Sequence, residues 1–315
     1  MPSDPRVSPG AAWWFAVGTL TIFPVPPVRA DRSVVGRAMS LAPFVGMALG
    51  VAGSAVFVAA WAASGSSLIA AVLAVGTLAW LTRALHLDGL ADLADGLGSG
   101  KPAQGALDVM KRSDIGPFGV VTILITLFLQ VATLQRAGPF AWAMLVTAAA
   151  TGRLAVTWAC RPGVPAARPG GLGALVAGTV GRGAAVATTV VTAAVVSLLA
   201  LVAISLPHLD AVSALIGFAQ GSPSDHSGPS IAAERVAVAA ADVGVRPAGL
   251  LYRLSGDSRL SVTAGLLLAM AAGLVSAALL RRRAVRRLGG ITGDVLGALV
   301  ETATTATLLA AAVLV

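Results

Sequence analysis

Seven largely apolar runs dominate the sequence, at residues 41–62, 67–85, 117–135, 140–160, 184–206, 260–280 and 295–315. A helix needs about 20 mainly apolar residues to cross a bilayer, and each run meets or approaches that length. Only 11% of the 315 residues are charged, against about 25% in an ordinary soluble domain. So few charges cannot cover the surface of a soluble globule, and 57% hydrophobic residues are far too many for a disordered chain. The expected fold is all-α: a polytopic integral membrane protein of about seven transmembrane helices, with a range of six to eight. An eighth, shorter run at 13–25 ends in FPVPP. Its prolines stop a helix, so it reads as a short interfacial or re-entrant helix, with a span as the alternative.

The basic residues orient the chain. With the segment before residue 41 on the inside, 17 of the 22 lysines and arginines fall in inside segments, and only Arg136, Arg235, Arg246, Arg253 and Arg259 fall outside. The positive-inside rule then places residues 83–116 in the cytoplasm and the C-terminus outside. The same rule accounts for the net charge of +8 without nucleic acid as a partner. No signal peptide is evident, and a multi-pass protein of the inner membrane is expected. The whole chain, 1–315, reads as one membrane-embedded catalytic domain. Residues 83–116 form its cytoplasmic acidic loop, and 207–258, rich in Gly, Ser and Pro, form a flexible extracytoplasmic insertion.

The acidic loop carries the strongest chemical signal. Five of the 14 acidic residues lie in it, and Asp88, Asp92 and Asp95 are spaced i, i+4, i+7. That spacing puts three carboxylates on one helix face, where they repel unless a cation lies between them. Oxygen ligands without thiolates favour Mg²⁺ or Mn²⁺. The bland alternative is a solvated acidic face. Mg²⁺ commonly bridges carboxylates and substrate phosphates, which makes Lys101, Lys111, Ser113 and Asp114 candidate phosphate contacts. His86, two residues before Asp88, is a candidate general base or an orienting side chain.

A second constellation, GGITGDVLGALVE, places Asp294 and Glu301 seven residues apart on one helix face. Both are candidate metal ligands. An ionisable Glu301 inside an apolar span is a functional hypothesis by default, with a structural ion pair to Arg153 as the alternative. Arg161, Arg168 and Arg182 lie in or flank a Gly/Pro-rich segment and suit phosphate or lipid headgroups. The five arginines between Arg281 and Arg287 read as a lipid-facing anchor more readily than as a diphosphate clamp. A single cysteine, Cys160, excludes an internal disulfide.

The segments LTIFPVPP, HLDGLADLADG, MKRSDIGPFG, ARPGGLG and GGITGDVLGALVE occur in this order from about Thr19 to Glu301. Together they resemble the adenosylcobinamide-GDP ribazoletransferase, or cobalamin synthase, family. Two positions depart from its pattern: Arg112 and Val300 stand where the family often has an acid. The resemblance implies a Mg²⁺-dependent membrane enzyme whose substrates are adenosylcobinamide-GDP and α-ribazole or its 5′-phosphate, and which releases GMP. It implies Asp88, Asp92 and Asp95 as catalytic metal ligands, Asp294 and Glu301 completing or supporting the metal site, His86 or a carboxylate taking a proton, and Arg153 and Arg168 among the substrate contacts. The lipid bilayer is a further partner, and a homo-oligomer or association with other corrinoid-pathway enzymes is compatible with the sequence. The rival readings are a CDP-alcohol phosphotransferase, a polyprenyl transferase and a secondary transporter. The first is disfavoured because no D-G-x-x-A-R continuation follows the first aspartate pair. The last is disfavoured because most acids of interest cluster in a loop rather than at mid-membrane.

Overall fold

A computed structural model describes residues 10–205 and 258–315. The expected insertion at 207–258 therefore lies outside the described residues, apart from Ser258. Eleven α-helices are described: α1 (Ala11–Leu20), α2 (Arg32–Ser64), α3 (Ser67–Leu81), α4 (Leu85–Gly98), α5 (Ala103–Val109), α6 (Pro117–Arg136), α7 (Ala141–Ala159), α8 (Gly171–Val176), α9 (Arg182–Ser205), α10 (Ser258–Leu288) and α11 (Gly293–Leu314). Among the described residues there is no β-sheet, only one isolated bridge between Ala166 and Ile291.

Among the described residues, six helices are long and apolar enough to cross a membrane: α2, α6, α7 with its preceding 3₁₀ turn, α9, α10 and α11. The seventh expected run is a bent pair, α3 and α4, which meet at 87°. We read α3 as the crossing and α4 as lying across the end of the bundle. α3 is short for a crossing, at about 22 Å for 15 residues, but it returns the chain to the face where α2 starts. Ile22 N–H donates to the Leu81 carbonyl at 2.7 Å, and the Arg83 guanidinium reaches the Thr21 carbonyl at 3.4 Å. α1 spans only 10 residues and stops before Pro24, too short to cross.

Two helices run past the ends of their apolar runs. α2 begins at Arg32, nine residues before the expected start. Val34, Val35, Ala38 and Met39 give this extension a buried face, and Pro43 is accommodated within the helix. α10 continues from the apolar run through Arg281–Arg287, because arginine is a good helix former once the chain leaves the bilayer.

α7 is the axis of the bundle. In its apolar window 94% of residues are buried, against 22% for the peripheral α9. Small residues bring the backbones together, as they must where lipid offers no hydrophobic drive for helix association. A Cβ on Gly50 of α2 would stand 2.6 Å from Val146 Cα, and one on Gly152 of α7 would stand 2.9 Å from the Val300 carbonyl of α11. α6 and α9 turn Phe118, Phe128, Val190 and Leu198 outward, where only lipid can cover them.

Candidate active site

The site forms at one end of the bundle, where α4 crosses the first turn of α11. Two glycines set this crossing. A Cβ on Gly89 would stand 2.7 Å from the Asp294 carbonyl oxygen, and one on Gly297 would stand 3.1 Å from His86 Cα. α4 owes its orientation to Arg83 and Ala84, both non-glycine residues at a φ of 53°. That left-handed backbone costs of order 1–2 kcal/mol per residue and turns the chain sharply out of α3. α11 starts with Thr292 as N-cap, whose hydroxyl accepts the Val295 N–H and donates to the Asp294 carboxylate, each at 3.2 Å.

The crossing brings Asp88, Asp92 and Asp294 into one electrostatic cluster with Arg168. Asp88 is exposed, and Asp92 and Asp294 are half-buried. The Asp92 carboxyl is pushed up to about 7, first by burial and then by the charges of Asp88, Asp294 and Asp95, with Arg168 opposing. Arg168 arrives on a loop held beside α11. Ala167 N–H donates to the Ile291 carbonyl at 3.0 Å, and Ile291 N–H donates to the Pro165 carbonyl at 2.9 Å. One Arg168 nitrogen donates to the Leu107 carbonyl, while its buried Nε has no partner. A cavity of about 310 Å³ opens here, lined by Arg168, Gly170, Gly171, Gly173, Thr292 and Asp294 among others. Gly170 and Gly171 leave the backbone open to a bulky ligand, Gly173 lets α8 pack against Ile291, and the start of α11 offers N–H groups to an anion.

The other expected site residues lie elsewhere. Asp95 is buried, and its two oxygens accept the N–H groups of Gly116 at 2.7 Å and Gly119 at 2.9 Å. It caps the start of α6 across 21 residues of sequence. Glu301 sits two turns below Asp294. It accepts a hydrogen bond at 2.9 Å from Gln130, which also donates to Thr305 at 3.0 Å. The charge of Glu301 acts on Arg153, the ionic alternative read from the sequence, though no ion pair within 4.0 Å forms between them. Arg153 is buried beside the His86 ring, its guanidinium 3.4 Å from His86 Nδ1. His86 is buried, and burial together with Arg153 keeps its imidazole neutral, well below the usual histidine range. Lys111 pairs with Asp108 on the surface at 3.9 Å. Lys101, Ser113 and Asp114 are exposed, and among the described residues none bonds to the acid cluster. The expected five-carboxylate metal site is therefore not assembled, and no group of three or more His, Cys, Asp or Glu residues among those described lies close enough to hold a metal alone.

Two contributors escape the sequence reading. Gln130 had a signal, as an amide in the middle of an apolar span. Thr292, two residues before Asp294, had the pattern of an N-cap. Gly89 reads from the sequence as a point of close ligand approach to the backbone, and the structure places the Asp294 backbone of α11 there instead.

A model of the cobalamin-5-phosphate synthase family matches residues 12–312. Relatives of the chain include proteins named adenosylcobinamide-GDP ribazoletransferase. The one from Frankia casuarinae is 40% identical, covering 92% of this chain and 90% of its own. The one from a Nocardioides species is 36% identical, with 95% and 97% covered. The one from Bradyrhizobium diazoefficiens is 31% identical, with 94% and 91% covered. No solved structure matches the chain. A match over nearly the whole length, with curated relatives equally long, places this chain in the cobalamin-5-phosphate synthase family.

Proposed function

We propose that the chain joins adenosylcobinamide-GDP to α-ribazole or its 5′-phosphate, releasing GMP and completing the nucleotide loop of a cobalamin. The family supports the reaction. The observation that supports the location is that Asp88, Asp92 and Asp294 act on one another electrostatically, with Arg168 opposing at Asp92 and Asp294, while Arg168 and Asp294 line the glycine-rich cavity.

The donor set suits Mg²⁺. This ion is usually held by one or two carboxylates plus substrate phosphates, with retained waters, rather than by a protein cage. One or two of these clustered carboxylates would hold it together with the substrate's phosphates, and it would supply neutralisation of charge developing on phosphoryl oxygens. Arg168, with its free buried Nε, binds a phosphate of the diphosphate. The glycines at 170 and 171 and the N–H groups opening α11 hold the second phosphate and orient the GMP leaving group in line. A ribose hydroxyl of α-ribazole attacks the phosphorus that carries the cobinamide arm, and the bond from that phosphorus to GMP breaks. The hydroxyl proton goes to a carboxylate at the open rim. His86 is closed off by burial and faces Arg153, so its part is to position α4 against α7.

The acid-bearing end of the bundle faces the cytoplasm of a multi-pass inner-membrane protein, in keeping with the lysines and arginines gathered there. Purified protein given adenosylcobinamide-GDP, α-ribazole 5′-phosphate and Mg²⁺ should release GMP, read by mass spectrometry, and EDTA should stop it. A folded sample that forms no GMP with either ribazole acceptor would overturn the reaction.

A further inference from the structure

We propose that a second cleft, between α7, α9 and α10, binds the phosphate headgroup of an anionic phospholipid. Its volume is about 330 Å³, and it shares no lining residue with the acid-rimmed cavity. Arg161, Arg281 and Arg282 gather at one end of it. Arg281 is only 8% exposed and feels the charges of both other arginines. It donates to the Trp158 carbonyl at 2.9 Å, and the Arg161 guanidinium lies 5.5 Å from the centre of the Trp158 ring. The ring is itself fixed by a 2.9 Å hydrogen bond from Trp158 Nε1 to Thr189. No carboxylate among the described residues pairs with any of the three arginines. Three like charges held around one cleft, one of them buried, call for an anion with several acceptor oxygens.

The other end of the cleft says which anion. Leu274, Val275 and Ala278 of α10 line it, and Val275 is 57% exposed on the bilayer side. Val275 lies six residues from Arg281, about 9 Å along the helix. A phosphate among the arginines therefore has its acyl chains running along α10 towards the bilayer core. A free phosphate or nucleotide would leave this apolar wall uncovered. Trp158 lies in the last turn of α7, and tryptophan favours the membrane interface.

The test is native mass spectrometry on delipidated, detergent-solubilised full-length protein titrated with phosphatidylglycerol or phosphatidylcholine. Phosphatidylglycerol should be retained in preference. Arg161→Gln with Arg282→Gln should weaken retention by about tenfold or more, while Arg283→Gln with Arg286→Gln, the same charge change away from the cleft, should leave it unchanged. Both pairs spare the Arg281–Trp158 bond, and thermal unfolding confirms that each variant is folded. Equal weakening by both pairs would mean a diffuse basic belt and would overturn the site. So would displacement of the lipid by inorganic phosphate or GDP, which would make the cleft a soluble-anion subsite, and so would equal retention of phosphatidylcholine.

Discussion

Asp92 and Asp95 stand less than one turn apart on α4, yet replacing them should move stability in opposite directions. Asp95 accepts two backbone N–H groups at the start of α6, at 2.7 and 2.9 Å, with its carboxyl buried. Charge-assisted hydrogen bonds contribute about 1.5–3 kcal/mol each, and a buried N–H left alone adds its own desolvation cost. Asp95→Ala should therefore destabilise the protein by about 3–5 kcal/mol, and Asp95→Asn, which keeps one acceptor oxygen, by about half that. Asp92 makes no such bonds. Its carboxylate faces Asp88 and Asp294, so Asp92→Asn relieves repulsion and should raise the stability of the metal-free protein while abolishing GMP release. Unfolding by SDS in mixed micelles, with EDTA present, measures both. Were Asp95→Ala within 1 kcal/mol of wild type but inactive, its carboxylate would belong to the reacting centre, and the capping argument would fail.

Three further outcomes follow from the same geometry. The folded Asp92 carboxyl titrates near 7, above the 3.8 of an unperturbed carboxyl, so the folded state holds a proton more tightly than the unfolded state. Its contribution to stability is full below about 3.8 and is lost as pH rises through 7. Thermal unfolding in EDTA should show this fall in wild type but not in Asp92→Asn, and Mg²⁺ should suppress it; parallel pH profiles would refute it. Gly89→Ala should force α4 away from Asp294, cost about 1–3 kcal/mol and raise the Mg²⁺ needed for half-maximal turnover; an unchanged requirement would disconnect this crossing from the site. Ala84→Gly should stabilise by about 1 kcal/mol, because glycine takes the φ of 53° without strain. A lower melting temperature would show that Ala84's methyl group contributes more than its backbone costs.

Most of the fold was legible because apolar length is a local property. Each of the seven runs became a helix, and only the ends of α2 and α10 and the bend after Leu81 differed. The spacing of the acids was read correctly as one face of one helix. What spacing does not give is position along the axis relative to other elements. Asp88 and Asp95 share a face but lie about 10 Å apart along α4, far enough for the start of α6 to close over one and leave the other open. The same axial distance separates Asp294 at the site from Glu301 beside Gln130. α4 and α11 meet at a single crossing, so only the carboxylates near it converge. Arg168 is a candidate phosphate or headgroup contact by residue type, but its place beside Asp294 depends on the Ala166–Ile291 bridge, a pairing across more than 100 residues.

The central claim is that Asp294 belongs to the metal-bearing cluster and Glu301 does not. The most direct measurement is the Mg²⁺ dependence of GMP release in Asp294→Asn and Glu301→Gln. Asp294→Asn should lose nearly all turnover, and what remains should require far more Mg²⁺. Glu301→Gln should keep the wild-type Mg²⁺ requirement even where its loss of charge beside Arg153 slows turnover. A Mg²⁺ requirement that rises in Glu301→Gln and stays fixed in Asp294→Asn would contradict the account.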